Sequence, residues 1–160
     1  MSEGGSESTD LGILRGRDYP SVRQFSIFSP NVVGRLLSLM RHVETAKLRV
    51  YALSVVDSAD CAIIRLVVNQ PERAVEVLRT GGFEFCEVDL LVVELPNNPQ
   101  PVVAICSTLL QAEINIHYSF PMLTSPYGRS ALAFYVDDHE LAARVLDAAG
   151  FIVLTENDLE

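Results

Sequence analysis

The first half of the chain switches between the two-residue period of a strand and the longer period of a helix. Phe25 and Ile27 alternate with polar neighbours, which predicts a strand over Val22–Phe28. Apolar residues then recur at helical spacing through Val33–Val43, which predicts an amphipathic helix. Asn31 is the expected N-cap of this helix, because its side-chain oxygen can accept a hydrogen bond from an orphan amide.

The pattern continues through two more strands, a helix and a fourth strand. Strands are predicted over about Leu48–Val56 and over Cys61–Val68, with a turn between them. A helix begins at Pro71, where the missing N–H costs nothing, and ends at the Gly81-Gly82 pair. The strand Phe83–Val88 follows, so the order is strand, helix, strand, strand, helix, strand, as in ferredoxin-like folds.

The second half of the chain repeats this order of elements, and part of its amino-acid sequence is similar to the first half. "VLRTGGFEF" at Val77–Phe85 returns as "VLDAAGFIV" at Val145–Val153, an offset of 68 residues. We therefore predict a duplicated domain of roughly 67 residues. The second copy is predicted to contain four strands and two helices. The helices lie near Val102–Leu110 and after Asp138, which is the expected N-cap of the second one. The strands are Leu90–Leu95, Ile114–Met122, Gly128–Asp137 and Phe151–Leu154.

The predicted fold class is α+β, with two ferredoxin-like βαββαβ domains in tandem. Their antiparallel sheets are expected to join side by side, with the helices on one face. Residues 1–21, rich in Ser, Gly and Glu at first, form a mobile tail in this prediction. Residues 22–88 form the first domain, and residues 89–160 form the second.

The charge and the cysteine content indicate which partners and which cellular compartment to expect. The formal charge is −9 and Lys47 is the single lysine, which argues against nucleic acid or an anionic membrane as a partner. No apolar run is long enough to span a bilayer, and no secretory signal is expected. Three cysteines at no metal-like spacing favour a reducing cytoplasm, and they are expected to be small buried residues. We expect no metal and no cofactor.

The segment "SPNVVGRL" at Ser29–Leu36 is the most suggestive for chemistry. Gly34 falls in the expected first helical turn, where glycine has poor helix propensity. Close approach of a ligand would explain it, and the exposed N–H groups of a helix start suit a carboxylate. The alternative is that Gly34 only allows tight packing against the neighbouring copy. No nucleophile or acid–base constellation is present, so an enzyme is the weakest reading.

The order of motifs, twice over, resembles tandem ACT-domain proteins, and those similar to acetolactate synthase regulatory subunits in particular. In that family the first turn reads Asn-x-Pro-Gly-Arg-Leu; Asn31, Gly34, Arg35 and Leu36 match, and Val33 replaces the proline. "LSVVDSADCAIIRLVV" and "AVEVLRTGGF" are similar to the second hairpin and second helix of the family. In the second copy Gln100 replaces the glycine, which weakens a site there.

The resemblance implies ACT-type domains and a small amino-acid-binding regulatory module without enzymatic activity. Its implied target is a metabolic enzyme, with branched-chain amino-acid biosynthesis as the specific pathway. The alternative is a ligand-free interaction subunit of an enzyme complex, and the partners considered include a homodimer. The implied ligand-binding residues come from both first turns and both second strands: Asn31, Val32, Val33, Gly34, Arg35, Ser54, Asn97, Asn98 and Ser119.

Overall fold

The computed structural model describes residues 19–30 and 32–160. The predicted N-terminal tail lies outside the described residues as far as residue 18. The described residues form seven strands, four α-helices and two short 3-10 turns: β1 Val22–Pro30, α1 Arg35–Thr45, β2 Val50–Asp57, β3 Cys61–Val68, α2 Pro71–Thr80, β4 Glu84–Glu94, α3 Pro101–Gln111, β5 Ile116–Pro121, the turn Pro126–Gly128, β6 Ala131–Val136, α4 His139–Ala148, β7 Val153–Leu154 and the turn Glu156–Leu159. The predicted α+β fold with two βαββαβ repeats is confirmed.

The chain divides into two compact units. The first unit holds residues 23–88 with 122–124, and the second holds 89–121 and 125–160 with the described residues 19–22. The division falls inside β4, which runs unbroken through Val88 and Asp89. The prediction of separate strands Phe83–Val88 and Leu90–Leu95 was therefore wrong. No glycine or proline interrupts this stretch, so the backbone stays extended.

In the first unit the strand order is β2-β3-β1-β4. The antiparallel register places Phe25 opposite Leu66 and Ile27 opposite Ile64. These side chains face α1 and α2, because residues two apart on a strand share a face. The first core consists of buried residues from both helices and the sheet: Phe25, Ile27, Leu39, Val43, Leu48, Ile64, Leu66, Val68, Ala74, Leu78 and Phe83.

In the second unit β4, β6 and β5 follow one another, and β7 pairs with β4. Ile105 and Leu109 of α3 are fully buried. The residues 66 positions earlier in α1, Leu39 and Val43, are also buried. The two helices therefore bury the same face, which is what a duplication requires. The second core is Leu91, Val93, Ile105, Leu109, Ile114, Phe134, Val136, Ala142, Ala143 and Leu146. Asp138 caps α4 as predicted, accepting a hydrogen bond from the Leu141 N–H at 3.1 Å.

Two short segments were not anticipated from the sequence. The Leu123 N–H donates to the Tyr51 carbonyl at 2.8 Å, and so pairs with β2 in the first unit. In the second unit Tyr19 packs against the core, its ring 4.8 Å from that of His139. His139 Nε2 is hydrogen-bonded to the Pro20 carbonyl at 2.9 Å, which fixes the chain just before β1.

Some predicted details differ. The last strand contracts from Phe151–Leu154 to Val153–Leu154, since Phe151 N–H closes the end of α4 by bonding to the Leu146 carbonyl. Cys86 is exposed, and Cys61 and Cys106 are half-buried, so the expectation of buried cysteines was wrong; all three are free thiols. Among the described residues, no helix combines the length and apolar character that crossing a lipid bilayer requires.

Candidate functional site

The first candidate turn is a type II β-turn that leads into α1. The Arg35 N–H donates to the Val32 carbonyl at 3.3 Å, and Gly34 has φ 87° and ψ −2°. A type II turn needs a positive φ at its third residue, which glycine supplies without strain. Gly34 is thus the N-cap of α1 and not part of its first turn. The expected cap, Asn31, lies outside the described residues, and α1 has no side-chain cap.

Conformation explains Gly34 better than packing does. A Cβ built on Gly34 would meet no atom of the described residues within 4 Å. Packing among the described residues therefore does not account for this glycine. The space beside Gly34 is open, and a small molecule can approach the backbone there.

The start of α1 offers N–H donors that have no acceptor among the described residues. The first helical hydrogen bond runs from the Ser38 N–H to the Gly34 carbonyl at 2.9 Å. The N–H groups of Leu36 and Leu37 make no hydrogen bond within the described part of the chain. No acidic residue occupies this first turn. The positive end of the helix dipole is therefore not neutralised locally, which favours an anion.

Arg35 adds a positive charge to the same turn. Its Nε donates to the Ser29 hydroxyl at 3.2 Å, and its guanidinium carbon lies 5.0 Å from the centroid of the Phe83 ring. Ser29 is itself buried and donates to the Pro30 carbonyl. The side chain is thus held by its Nε and by the Phe83 ring, and neither Nη group has a hydrogen-bond or ion-pair partner among residues 19–30 and 32–160. Two such donors match the two oxygens of a carboxylate.

Exposed apolar residues flank these donors in the sequence. Val33 is fully exposed, and Val32, Leu36 and Leu37 are also exposed. An anion-attracting turn with aliphatic neighbours suits a ligand that has both a carboxylate and an apolar part.

The second candidate turn has a different geometry. Gln100, the N-cap of α3, has φ −129°, so the left-handed conformation of Gly34 has no counterpart here. The Asn98 side-chain oxygen accepts from the Gln100 N–H at 2.8 Å, and Asn98 N–H donates to the Pro96 carbonyl. Pro101 at the helix start has no N–H to offer. Asn97 is exposed, and the turn has no counterpart of Arg35.

Ser54 and Ser119 are not brought to their own turns. Ser54 pairs with Arg65, which pairs with Ser26, so two strand spacings, about 10 Å, separate Ser54 from β1. Ser119 pairs with Phe134, which lies opposite Leu91, whereas Asn97 lies beyond the end of β4. Within each unit, the predicted second-strand residue is therefore remote from the predicted first turn.

Sequence reasoning missed Ser29 and Phe83 as supports of Arg35. Ser29 is the first residue of the segment "SPNVVGRL", and its hydroxyl could have been recognised as a hydrogen-bond partner for the nearby Arg35. Phe83 is 48 positions further along the chain, and no local pattern connects it with Arg35.

A groove of about 520 Å³ between α1 and α2 contains none of the predicted residues; its charged residues, Arg41, Arg73 and Glu76, are exposed.

A family model described as an ACT domain pair matches residues 20–160. The chain belongs to the ACT domain pair family. Among solved structures, protein BT0572 from Bacteroides thetaiotaomicron is 22% identical, with 88% of this chain and 96% of that chain covered and a TM-score of 0.80. The ligand-free regulatory subunit of aspartate kinase from Thermus thermophilus is 14% identical, with 83% and 95% covered and a TM-score of 0.55.

The aspartokinase alpha and beta subunits are 20% identical, with 81% and 91% covered and a TM-score of 0.52. Identities this low show a shared fold alone. No curated protein is significantly similar to this ACT domain pair.

Proposed function

We propose that this ACT domain pair is a regulatory module that binds a small amino acid and modulates a metabolic enzyme without catalysing a reaction itself. Binding would shift an equilibrium between two states of the module or its partner, which requires different affinity for each state. A cytoplasmic location is part of the proposal and agrees with three free thiols.

The first-repeat turn is the observation that carries this proposal. The Nη groups of Arg35 and the N–H groups of Leu36 and Leu37, which have no acceptor among the described residues, belong to the same turn as Gly34, where no described atom would meet a Cβ. An α-carboxylate would bind to this turn, and the exposed aliphatic residues would contact the ligand side chain. Val32, Val33 and the undescribed Asn31 complete the proposed site.

The second-repeat residues Asn97, Asn98 and Ser119, and Ser54 of the first repeat, are secondary proposals. The second turn offers fewer N–H donors to a ligand, because the Gln100 N–H already donates to the Asn98 side chain and Pro101 has no N–H group. We therefore expect one dominant site, at the Gly34 turn.

The regulated enzyme is proposed by class. Two of the structurally similar proteins are described as aspartate kinase subunits, and the name of that enzyme gives an amino acid as its substrate, which supports an enzyme of amino-acid metabolism as the target. The sequence resemblance to acetolactate synthase regulatory subunits makes a branched-chain amino acid the first ligand to test.

A thermal-shift screen of the twenty amino acids tests the proposal. A ligand at 100 times its dissociation constant stabilises the folded state by about 2.7 kcal/mol. For a chain of this size that corresponds to roughly 5–10 °C in Tm. The amide of the best ligand, for example leucinamide for leucine, has lost the carboxylate and should give no shift.

Two variants locate the site. Arg35→Gln should reduce affinity at least tenfold, whereas Arg41→Gln, an exposed arginine later in the same helix, should leave it unchanged. Gly34→Val should abolish the ligand-induced shift while the circular dichroism spectrum stays native. A flat screen together with co-purification of a larger enzyme subunit would instead favour the ligand-free interaction subunit.

A further inference from the structure

The two glycines that end α2 are there for different physical reasons. Gly82 has φ 72°, a left-handed conformation that favours glycine. Gly81 has φ −75° and ψ −4°, a right-handed helical conformation that any L-residue adopts. A Cβ built on Gly81 would lie 2.8 Å from Cε2 and 2.9 Å from Cδ2 of Phe83, and 3.1 Å from Cδ2 of His42. The space beside Gly81, and not its backbone conformation, therefore requires glycine.

The backbone around Gly81 has little freedom to relieve such a contact. The Gly81 N–H donates to the Val77 carbonyl at 2.9 Å. The Phe83 N–H donates to the Leu78 carbonyl at 3.0 Å. Both residues are thus tied to the last turn of α2, which fixes the distance between their backbones. An added methyl group at position 81 would therefore displace the Phe83 ring, which is buried in the first core.

The Phe83 ring contacts two side chains of α1. The guanidinium carbon of Arg35 lies 5.0 Å from the ring centroid, within the range of a cation–π contact. The His42 ring packs edge to face against it, with centroids 5.3 Å apart and an interplanar angle of 89°. His42 Nδ1 is hydrogen-bonded to the Ser38 carbonyl at 2.8 Å, which holds the imidazole on its own helix. The ring that supports Arg35 is thus confined by a fixed imidazole and by the glycine.

The second repeat has a different residue at the position of this glycine. The counterpart of Gly81, 68 positions later, is Ala149, with φ −82° and ψ 0°. The Ala149 N–H closes α4 in the same way, by donating to the Val145 carbonyl at 3.1 Å. The counterparts of the two α1 side chains, 66 positions later, are Pro101 and Thr108. The same backbone therefore accommodates a Cβ in the repeat that has neither the arginine nor the histidine.

We propose that Gly81 is a positioning residue of the first-repeat turn: by leaving room for the Phe83 ring, it sets the place of the Arg35 guanidinium. Since Arg35 belongs to the proposed amino-acid site, this inference rests on that proposed function and extends it to a residue 46 positions away in the sequence. Gly81 does not itself contact the ligand. Its effect on binding passes through the ring and the guanidinium, so it should disappear when the guanidinium is removed.

Gly81→Ala and Phe83→Leu test the effect on affinity. A cation–π contact at an exposed site corresponds to a factor of about two to five in an equilibrium constant. Each variant should therefore weaken binding of the amino acid selected by the thermal-shift screen by about two- to fivefold in isothermal titration calorimetry. Ala149→Gly is the matched control at the corresponding position of the second repeat, and it should leave the dissociation constant unchanged. Unchanged affinity in both Gly81→Ala and Phe83→Leu would overturn the inference.

A double-mutant cycle tests whether Gly81 acts through Arg35. Substitutions that act through the same contact are not additive, so Gly81→Ala should cause no further loss of affinity in the Arg35→Gln background. A glycine that only stabilises the fold would lower affinity in both backgrounds by the same factor. Equal losses in the two backgrounds would therefore contradict a positioning role.

A measurement without ligand separates this inference from the proposed function. The Arg35 Nε–Hε signal in ¹H–¹⁵N spectra senses both the ring current of Phe83 and the hydrogen bond to Ser29. It should move in Gly81→Ala and in Phe83→Leu, and it should stay in place in Ala149→Gly. Native circular dichroism spectra check that each variant folds, and Phe83→Leu carries the test where Gly81→Ala does not fold.

The two results that decide the matter are distinct. An Arg35 signal that stays in place in the folded variants would overturn the coupling of Gly81 to Arg35, whether or not an amino acid binds. A moved Arg35 signal together with a flat thermal-shift screen would uphold that coupling and refute the amino-acid ligand.

Discussion

Gly34→Ala isolates the energetic cost of the turn that starts α1. An L-residue in the left-handed conformation costs about 1–2 kcal/mol, because its Cβ crowds the following carbonyl. Alanine also lowers the conformational entropy of the unfolded chain, which offsets about 0.4–1 kcal/mol of this loss in the free energy of unfolding. No packing contribution opposes or adds to this, since the new Cβ meets nothing within 4 Å. The net expected destabilisation is therefore about 1 kcal/mol, or a fall in Tm of roughly 2–4 °C for a chain of this size.

Urea unfolding followed by circular dichroism at 222 nm measures this loss. The midpoint should fall while the slope m stays constant, because the unfolded surface is the same. Gly82→Ala is the matched control: Gly82 has φ 72°, and a Cβ there also meets nothing within 4 Å. Both variants should lose similar stability, and only Gly34→Ala should alter amino-acid binding. A Gly34→Ala variant as stable as the wild type would contradict the assigned turn.

Three further predictions follow from the structure. Val33→Pro should raise stability by about 0.5 kcal/mol in urea unfolding, since proline is favoured at the second position of a type II turn and Val33 is fully exposed. Ile105→Ala should cost about 2–5 kcal/mol by the same assay, because Ile105 is fully buried in the second core. The hydrogen bond that Tyr127 donates to Asp158, with the carboxylate charge, raises the pKa of Tyr127 above 10.0. This stabilisation is present below pH 10 and is lost as pH rises through the folded-state pKa. Tyr127→Phe should therefore reduce the fall in Tm above pH 10, and an unchanged pH profile would contradict the contact.

The fold was predictable because its elements obey local rules. The period-two pattern gave β3 its observed bounds, Pro71 marked the start of α2, and Asp138 was recognised as a cap. The duplication then supplied the topology, since one βαββαβ order appeared twice. The continuity of β4 was missed because the last strand of the first repeat and the first strand of the second were predicted separately, although no glycine or proline lies between them.

The site was predictable only in part. Gly34 and Arg35 stood out as residues of a turn, but the sequence did not reveal the left-handed φ of Gly34 or its role as N-cap. The support of Arg35 by Phe83 is a tertiary contact between residues far apart in sequence. The pairing of Asn98 with Gln100, which occupies the second turn, depends on a backbone geometry that composition does not specify.

The most direct test of the amino-acid site is a titration followed by ¹H–¹⁵N correlation spectra of the full chain. The titrant is the amino acid selected by the thermal-shift screen. We predict that the backbone amides of Gly34, Leu36 and Leu37 shift first and saturably, and that Arg35→Gln removes these shifts. Saturable shifts confined to residues 89–160, with the α1 amides unmoved, would contradict the account.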